Sequence, residues 1–229
     1  MVKSNAYRPI PLALTTLIAV FSALVALALS GGHTMAAHAD TGHHHASATT
    51  GTTAALRIDM RRLWQAHVTW TRLAIISLTT DSPDTQATVA RLLRNQTDIG
   101  NAIKPYYGAA AGKQLTALLR QHILIAADLI AAAKKGDQAA VATQQARWTA
   151  NADEIASFLN SANPRFWKLG ATKAMMHDHL RLTTNEVVAR LQQNWTADVR
   201  YYDRIVVQAL HMADMLTNGI AGQFPSRFR

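Results

Sequence analysis

The sequence predicts an all-α fold, an antiparallel bundle of about six helices. From Leu56 onward the chain is rich in Ala, Leu, Gln and Arg, all good helix formers. Apolar residues recur at helical spacing with no sustained alternation. Gly falls mostly at a few junctions, which divide the body into segments of helical length.

The first helix is expected from Ala55 to Leu78, ending before "TTDSPD", where Asp81 or Ser82 can cap the next start and Pro83 suits a first turn. The second continues to about Lys104 and stops at "PYYG". The third spans Gly112 to Lys135 and ends at Gly136, and Asp137 is the expected cap of the fourth, which reaches Leu159. After "NSANPRFWKLG" the fifth covers Thr172 to Gln193, and the sixth covers Thr196 to Asn218, stopped by Gly219. Joints this short make neighbours antiparallel.

The helices group as three related αα-hairpins. The first helices align as "MRRLWQAHVTWTRLAI", "LTALLRQHILIAADLI" and "TKAMMHDHLRLTTNEV", placing His67, His122 and His179 at equivalent points. The second helices align as "NQTD" at Asn95, "NADE" at Asn151 and "HMAD" at His211, each an amide or imidazole followed three residues later by a carboxylate on the same face. His67 shares its face with Met60, Leu63 and Ala74, and His122 shares its face with Leu115, Leu119 and Leu129, so both point inward. A buried imidazole must satisfy a donor and an acceptor, for which an amide or carboxylate on the paired helix is suited. If several converge they form a nitrogen-rich shell fit for a transition ion, copper or zinc, with carboxylates as further ligands or acceptors. The candidate internal ligands are His67, His122, His179 with Glu186 seven residues on, and His211 with Asp214.

The first 54 residues differ from the body. Lys3 and Arg8 precede an uncharged apolar run from Ile10 to Ser30, and Ala37 and Ala39 have small-x-small spacing. Residues 1–39 thus read as a signal peptide or as an N-terminal membrane anchor, and both place the body outside the cytoplasm, secreted or held at the membrane. Residues 40–54, rich in Thr, Ala, Gly, Ser and His, read as a flexible tether whose His43, His44 and His45 can collect metal ions without a fold. Residues 55–229 form the bundle domain.

Lys and Arg total 23 against 14 Asp and Glu, and removing Lys3, Arg8 and Asp40 leaves the body at 21 against 13. That balance favours an anionic partner such as a membrane surface. The basic residues are scattered and carry no recognition motif, so nucleic acid is not expected as a partner. The absence of cysteine excludes disulfides and thiolate sites. Glu-x-x-His and His-Glu-x-x-His are absent, as are a phosphate-binding glycine loop and a nucleophile elbow, and no catalytic residue is assigned.

The body, through "LWQAHVTWTR", "RLLRNQTDIGNAI", "LLRQHILIAADL", "NADEIASFL", "HLRLTTNEVVARL" and "MADMLTNGIAGQFP", resembles a group of exported, all-helical bacterial proteins of uncharacterised function. Some of that group carry a glycosyltransferase label, which this chain does not support because it lacks the α/β pattern of such enzymes. The resemblance implies a common fold and export and transfers no site residues. The expectation is an extracytoplasmic transition-metal-binding protein with a histidine-bearing tail and an internal site. The alternative is a non-enzymatic envelope or structural protein whose histidines satisfy core hydrogen bonds and whose basic surface meets anionic lipid or polymer.

Overall fold

The computed structural model describes residues 51–228, so the apolar N-terminal run and His43, His44 and His45 lie outside the described residues. Five α-helices make a bundle: α1 Thr53–Thr80, α2 Thr85–Lys135, α3 Gln138–Ala162, α4 Leu169–Leu191 and α5 Trp195–Gln223. A short 3-10 turn, Pro225–Arg227, follows, and no strand occurs among the described residues. Each helix packs on its neighbours in sequence, and α5 returns to α1, so the bundle closes on itself.

Caps explain most boundaries. The Thr52 hydroxyl accepts from Ala55 N, the Asp137 carboxylate from Ala140 N and the Asn194 amide oxygen from Ala197 N, fixing the starts of α1, α3 and α5. Gly136 ends α2 with φ 71°, as its position in the sequence predicts. Asp81 does not cap the second helix. It ends α1 in the left-handed region at φ 54° while its carboxylate receives Lys134 Nζ at 2.6 Å. The residue preceding α2 is Asp84, whose carboxylate accepts from the Ser77 hydroxyl at 2.8 Å.

The second and third expected helices form one run. The interruption expected across "PYYG" shrinks to Gly108, at φ 85° and ψ 168°, where the helix doubles back. Its two arms then lie so close that a Cβ on Gly100 would sit 2.5 Å from the Gly112 carbonyl oxygen, and one on Gly112 would sit 2.6 Å from the Gly100 oxygen. Arg120 Nη1, further along the returning arm, donates to the Leu93 carbonyl. One 18-residue window of α2, with mean hydropathy 1.4, is long and apolar enough to cross a membrane, and half of it is buried in the bundle.

Gly219 does not stop the last helix, which runs on to Gln223. Its missing side chain leaves room for the buried Trp167 ring, which would stand 2.0 Å from a Cβ there. Trp167 Nε1 donates to the Met215 carbonyl and Asn163 Nδ2 to the Gly219 carbonyl, tying the α3–α4 connection to α5. Trp64, Trp148 and Trp167 belong to the main core with Met60, Ile99, Ile155 and Met212.

The backbone contact at the fold-back sets an expected outcome. Gly100→Ala should lower unfolding free energy by about 2 kcal/mol or more, since the atom in the way is a carbonyl that cannot rotate aside. Gly170→Ala, with nothing within 4 Å, should be neutral or stabilising by up to about 1 kcal/mol. Urea denaturation of both variants checks the pair.

Candidate functional site

His67 on α1, His122 on the second arm of α2 and His179 on α4 meet in the bundle interior, each at most 4% exposed. The ring of His179 lies 6.0 Å from that of His67 and 6.3 Å from that of His122, centroid to centroid. Trp64 packs edge-on against His67 at 5.4 Å and Trp148 tilts against His122 at 5.1 Å.

Each ring is held at Nδ1 by an amide 29 residues later. Asn151 Oδ1 stands 2.8 Å from His122 Nδ1, Gln208 Oε1 stands 3.1 Å from His179 Nδ1, and Gln96 Nε2 stands 3.2 Å from His67 Nδ1. The amides also reach the backbone carbonyl one turn before the histidine. Asn151 Nδ2 donates to Leu118 O, and Gln208 Nε2 to Met175 O. Around His67 the duty is split, with Asn95 Nδ2 donating to Leu63 O while Gln96 meets the ring.

These contacts fix the protons. Asn151 and Gln208 turn their NH2 groups to carbonyls, so their oxygens face the rings and accept from Nδ1–H of His122 and His179. In the neutral rings Nε2 is then a bare lone pair. His122 Nε2 is buried with no partner. His67 has the opposite polarity, because Gln96 Nε2 donates to its Nδ1 and to Leu92 O. Gln96 Oε1 is itself buried and unpartnered. The amide is held this way round, because a half-turn would set Oε1 against the Leu92 carbonyl oxygen and Asn95 Oδ1, both acceptors.

The rings form one end of a cavity of about 120 Å³ that extends along the bundle between α1, α2, α3 and α4. Its walls are apolar, including Ile75, Leu92, Ile130 and Val187, and no Asp, Glu, Lys or Arg lines it. Burial, reinforced by the neighbouring rings, pushes His67 and His122 from 6.5 down to about 3, and burial lowers His179 too. All three are neutral near pH 7, the state in which imidazole is a ligand.

The other expected internal ligands lie elsewhere. Glu186, 1% exposed, accepts from Arg72 Nη1 at 2.7 Å. Arg72 also forms a two-pronged pair with Asp198, which Arg190 joins at 3.0 Å. Burial pushes Glu186 up to about 7 against the pull of Arg72. Asp198 stays below the usual carboxylate range because its two arginines outweigh its burial. His211 is exposed, and Asp214 is clamped by Arg61 at 2.8 and 2.5 Å. His177, on the opposite face of α4 from the site, bonds Asp153 at 2.8 Å. Among the described residues no three His, Asp or Glu side chains stand close enough to hold a metal ion as they are.

The residues absent from the sequence-based site are the amides. Asn95, Gln96 and Asn151 lie inside the aligned "NQTD" and "NADE" segments, but His179 pairs with Gln208, three residues before the aligned His211. A search for amides at constant distance from the histidines, rather than for carboxylates, finds all three. The chain matches no known protein family, no curated protein and no solved structure.

The neutral rings make stability depend on pH. The unfolded chain takes up protons near pH 6.5, while folded His67 and His122 stay neutral to about 3. Their contribution is therefore whole above pH 6.5 and is lost as the pH falls toward 3. Glu186 acts oppositely, stabilising below about 4.5 and losing that contribution as the pH rises through about 7. Between pH 4.5 and 6.5 unfolding should take up about one proton net, His67 and His122 each gaining one and Glu186 losing one. Urea titrations across pH 4.5–7.5 should show this slope flatten in His122→Gln and steepen in Glu186→Gln.

Proposed function

We infer that the protein binds a transition-metal ion, copper or zinc, through His67, His122 and His179, and that it does so outside the cytoplasm. The observation that carries this reading is His122 Nε2, a buried lone pair with no partner. An unpaired buried acceptor costs about 1–3 kcal/mol, a cost that a merely structural ring has no reason to bear. Nδ1–H held by an amide oxygen, as in His122 and His179, is the arrangement that orients imidazole ligands and fixes their tautomer. Behind the site we read three αα-hairpins, each giving one ring and one amide.

Three rings around one ion, with metal–nitrogen bonds of about 2.0–2.1 Å, have centroids roughly 5–5.5 Å apart. The observed 6.0 and 6.3 Å separations require these two pairs of rings to close by about 0.5–1.3 Å. The cost of burying an ion grows with the square of its charge, and no carboxylate lines the cavity. Cu(I) is therefore the ion least costly to hold here, and Zn(II) would have to bring an anion with it. His43, His44 and His45 are read as an outer collector on the tether. The ring separations, wide for a bound ion, favour the competing reading of three structural clamps.

A titration separates the two. The full chain carrying His43→Ala, His44→Ala and His45→Ala, stripped with chelator, is titrated with Cu(I) and Zn(II) in competition with indicator ligands. One tight site per chain is expected, lost in His179→Ala and weakened about 10- to 100-fold in Asn151→Ala. Absence of a tight site, or one indifferent to His179, leaves the rings as clamps only.

A further inference from the structure

Beyond the histidines the cavity has a second polar band. Thr71 and Thr183 follow His67 and His179 by four residues, so each hydroxyl lies one turn further along the same face, and both Oγ1 atoms are buried without partners. Four residues after His122, the middle of the three histidines, the chain has Ala126, which makes this band one-sided. Trp148 Nε1 on the cavity wall is also unpartnered, and Thr183 is 4% exposed. Apart from Thr184, whose Oγ1 is also buried and unpartnered, and Gln145, the rest of the lining is aliphatic. A wall-to-wall apolar cavity would need no such groups. Here two hydroxyl donors, an indole N–H and the His122 Nε2 acceptor sit at one end of an apolar chamber.

We propose that this chamber binds a small uncharged molecule with an apolar body and one hydroxyl head, of which phenol is the simplest probe. Its volume of about 120 Å³ is close to that of an apolar protein cavity of about 150 Å³ that takes up benzene. The ligand O–H donates to His122 Nε2, and its oxygen accepts from the Thr71 and Thr183 hydroxyls. The ring fills the space between Ile75, Ile130 and Val187. A charged ligand is disfavoured because no ionised side chain lines the walls. The binding uses only this chain's own groups and goes beyond the metal reading.

The test uses the full chain after chelator treatment, so that failure of the metal titration and failure of this binding are separate results. Phenol and toluene are titrated by calorimetry into the wild-type chain, the double variant Thr71→Val/Thr183→Val and the cavity-filling variant Ala127→Leu. Phenol is expected to bind once per chain. The double valine variant, nearly isosteric and so retaining the fold, should weaken phenol roughly three- to tenfold per lost hydrogen bond while leaving toluene unchanged. Ala127→Leu should weaken both. The proposal is overturned if phenol does not bind, whether or not toluene does, or if the valine substitutions shift phenol and toluene alike.

Discussion

The bundle interior depends on one requirement, that an imidazole taken out of water must keep a partner on its ring. His67, His122 and His179 meet it with amides from the following helical segment, always 29 residues on. For His122 and His179 one amide bonds the ring with one end and a backbone carbonyl one turn earlier with the other. Such a bridge fixes the slide of one helix past another. Each bond is worth about 1 kcal/mol net, yet breaking one leaves a buried orphan whose cost is larger. The register of the hairpins is thus set by the penalty for a wrong pairing more than by the strength of the right one.

Equal registers bring the rings to one level, and the charges are kept from them. Arg72, Glu186, Asp198 and Arg190 satisfy one another on α1, α4 and the start of α5, while Arg57 and Arg61 hold Asp214. Glu186 and Asp214, the two carboxylates expected to join the histidines, are thereby consumed by arginines. Carboxylates favour an arginine fork, which satisfies two oxygens at once, over a neutral ring that offers one N–H. The result is a centre without ionised side chains, lined by imidazole, aliphatic and a few neutral polar groups, with the ion pairs a helix face away.

That division explains what the sequence conveyed. The all-helical class, the cap at Asp137, the stop at Gly136 and the inward faces of His67, His122 and His179 follow from local patterns, because propensity, capping and a 3.6-residue period act within a few residues. What escaped was tertiary. Gly219 reads as a terminator, but Trp167, arriving from a distant connection, needs the space it leaves. Gly108 reads as part of a four-residue interruption, but the close approach of Gly100 and Gly112 lets a single left-handed residue turn the chain. The carboxylates at Glu186 and Asp214 fall at the right spacing on their helices, and only the arginines across from them decide where they bond.

The threefold pattern and its departures do different jobs. Repetition supplies three equivalent rings, which a single helix pair could not present from three directions around one point. Departures from it supply asymmetry. Thr71 and Thr183 face Ala126, and Gln96 presents nitrogen to its ring where Asn151 and Gln208 present oxygen. A symmetric chamber could not tell the head of a ligand from its side, since every wall would offer the same groups. With hydroxyls following His67 and His179 but a methyl following His122, the proposed hydroxyl-headed ligand has its hydroxyl partners on the α1 and α4 sides, and this inequality is what would set its orientation.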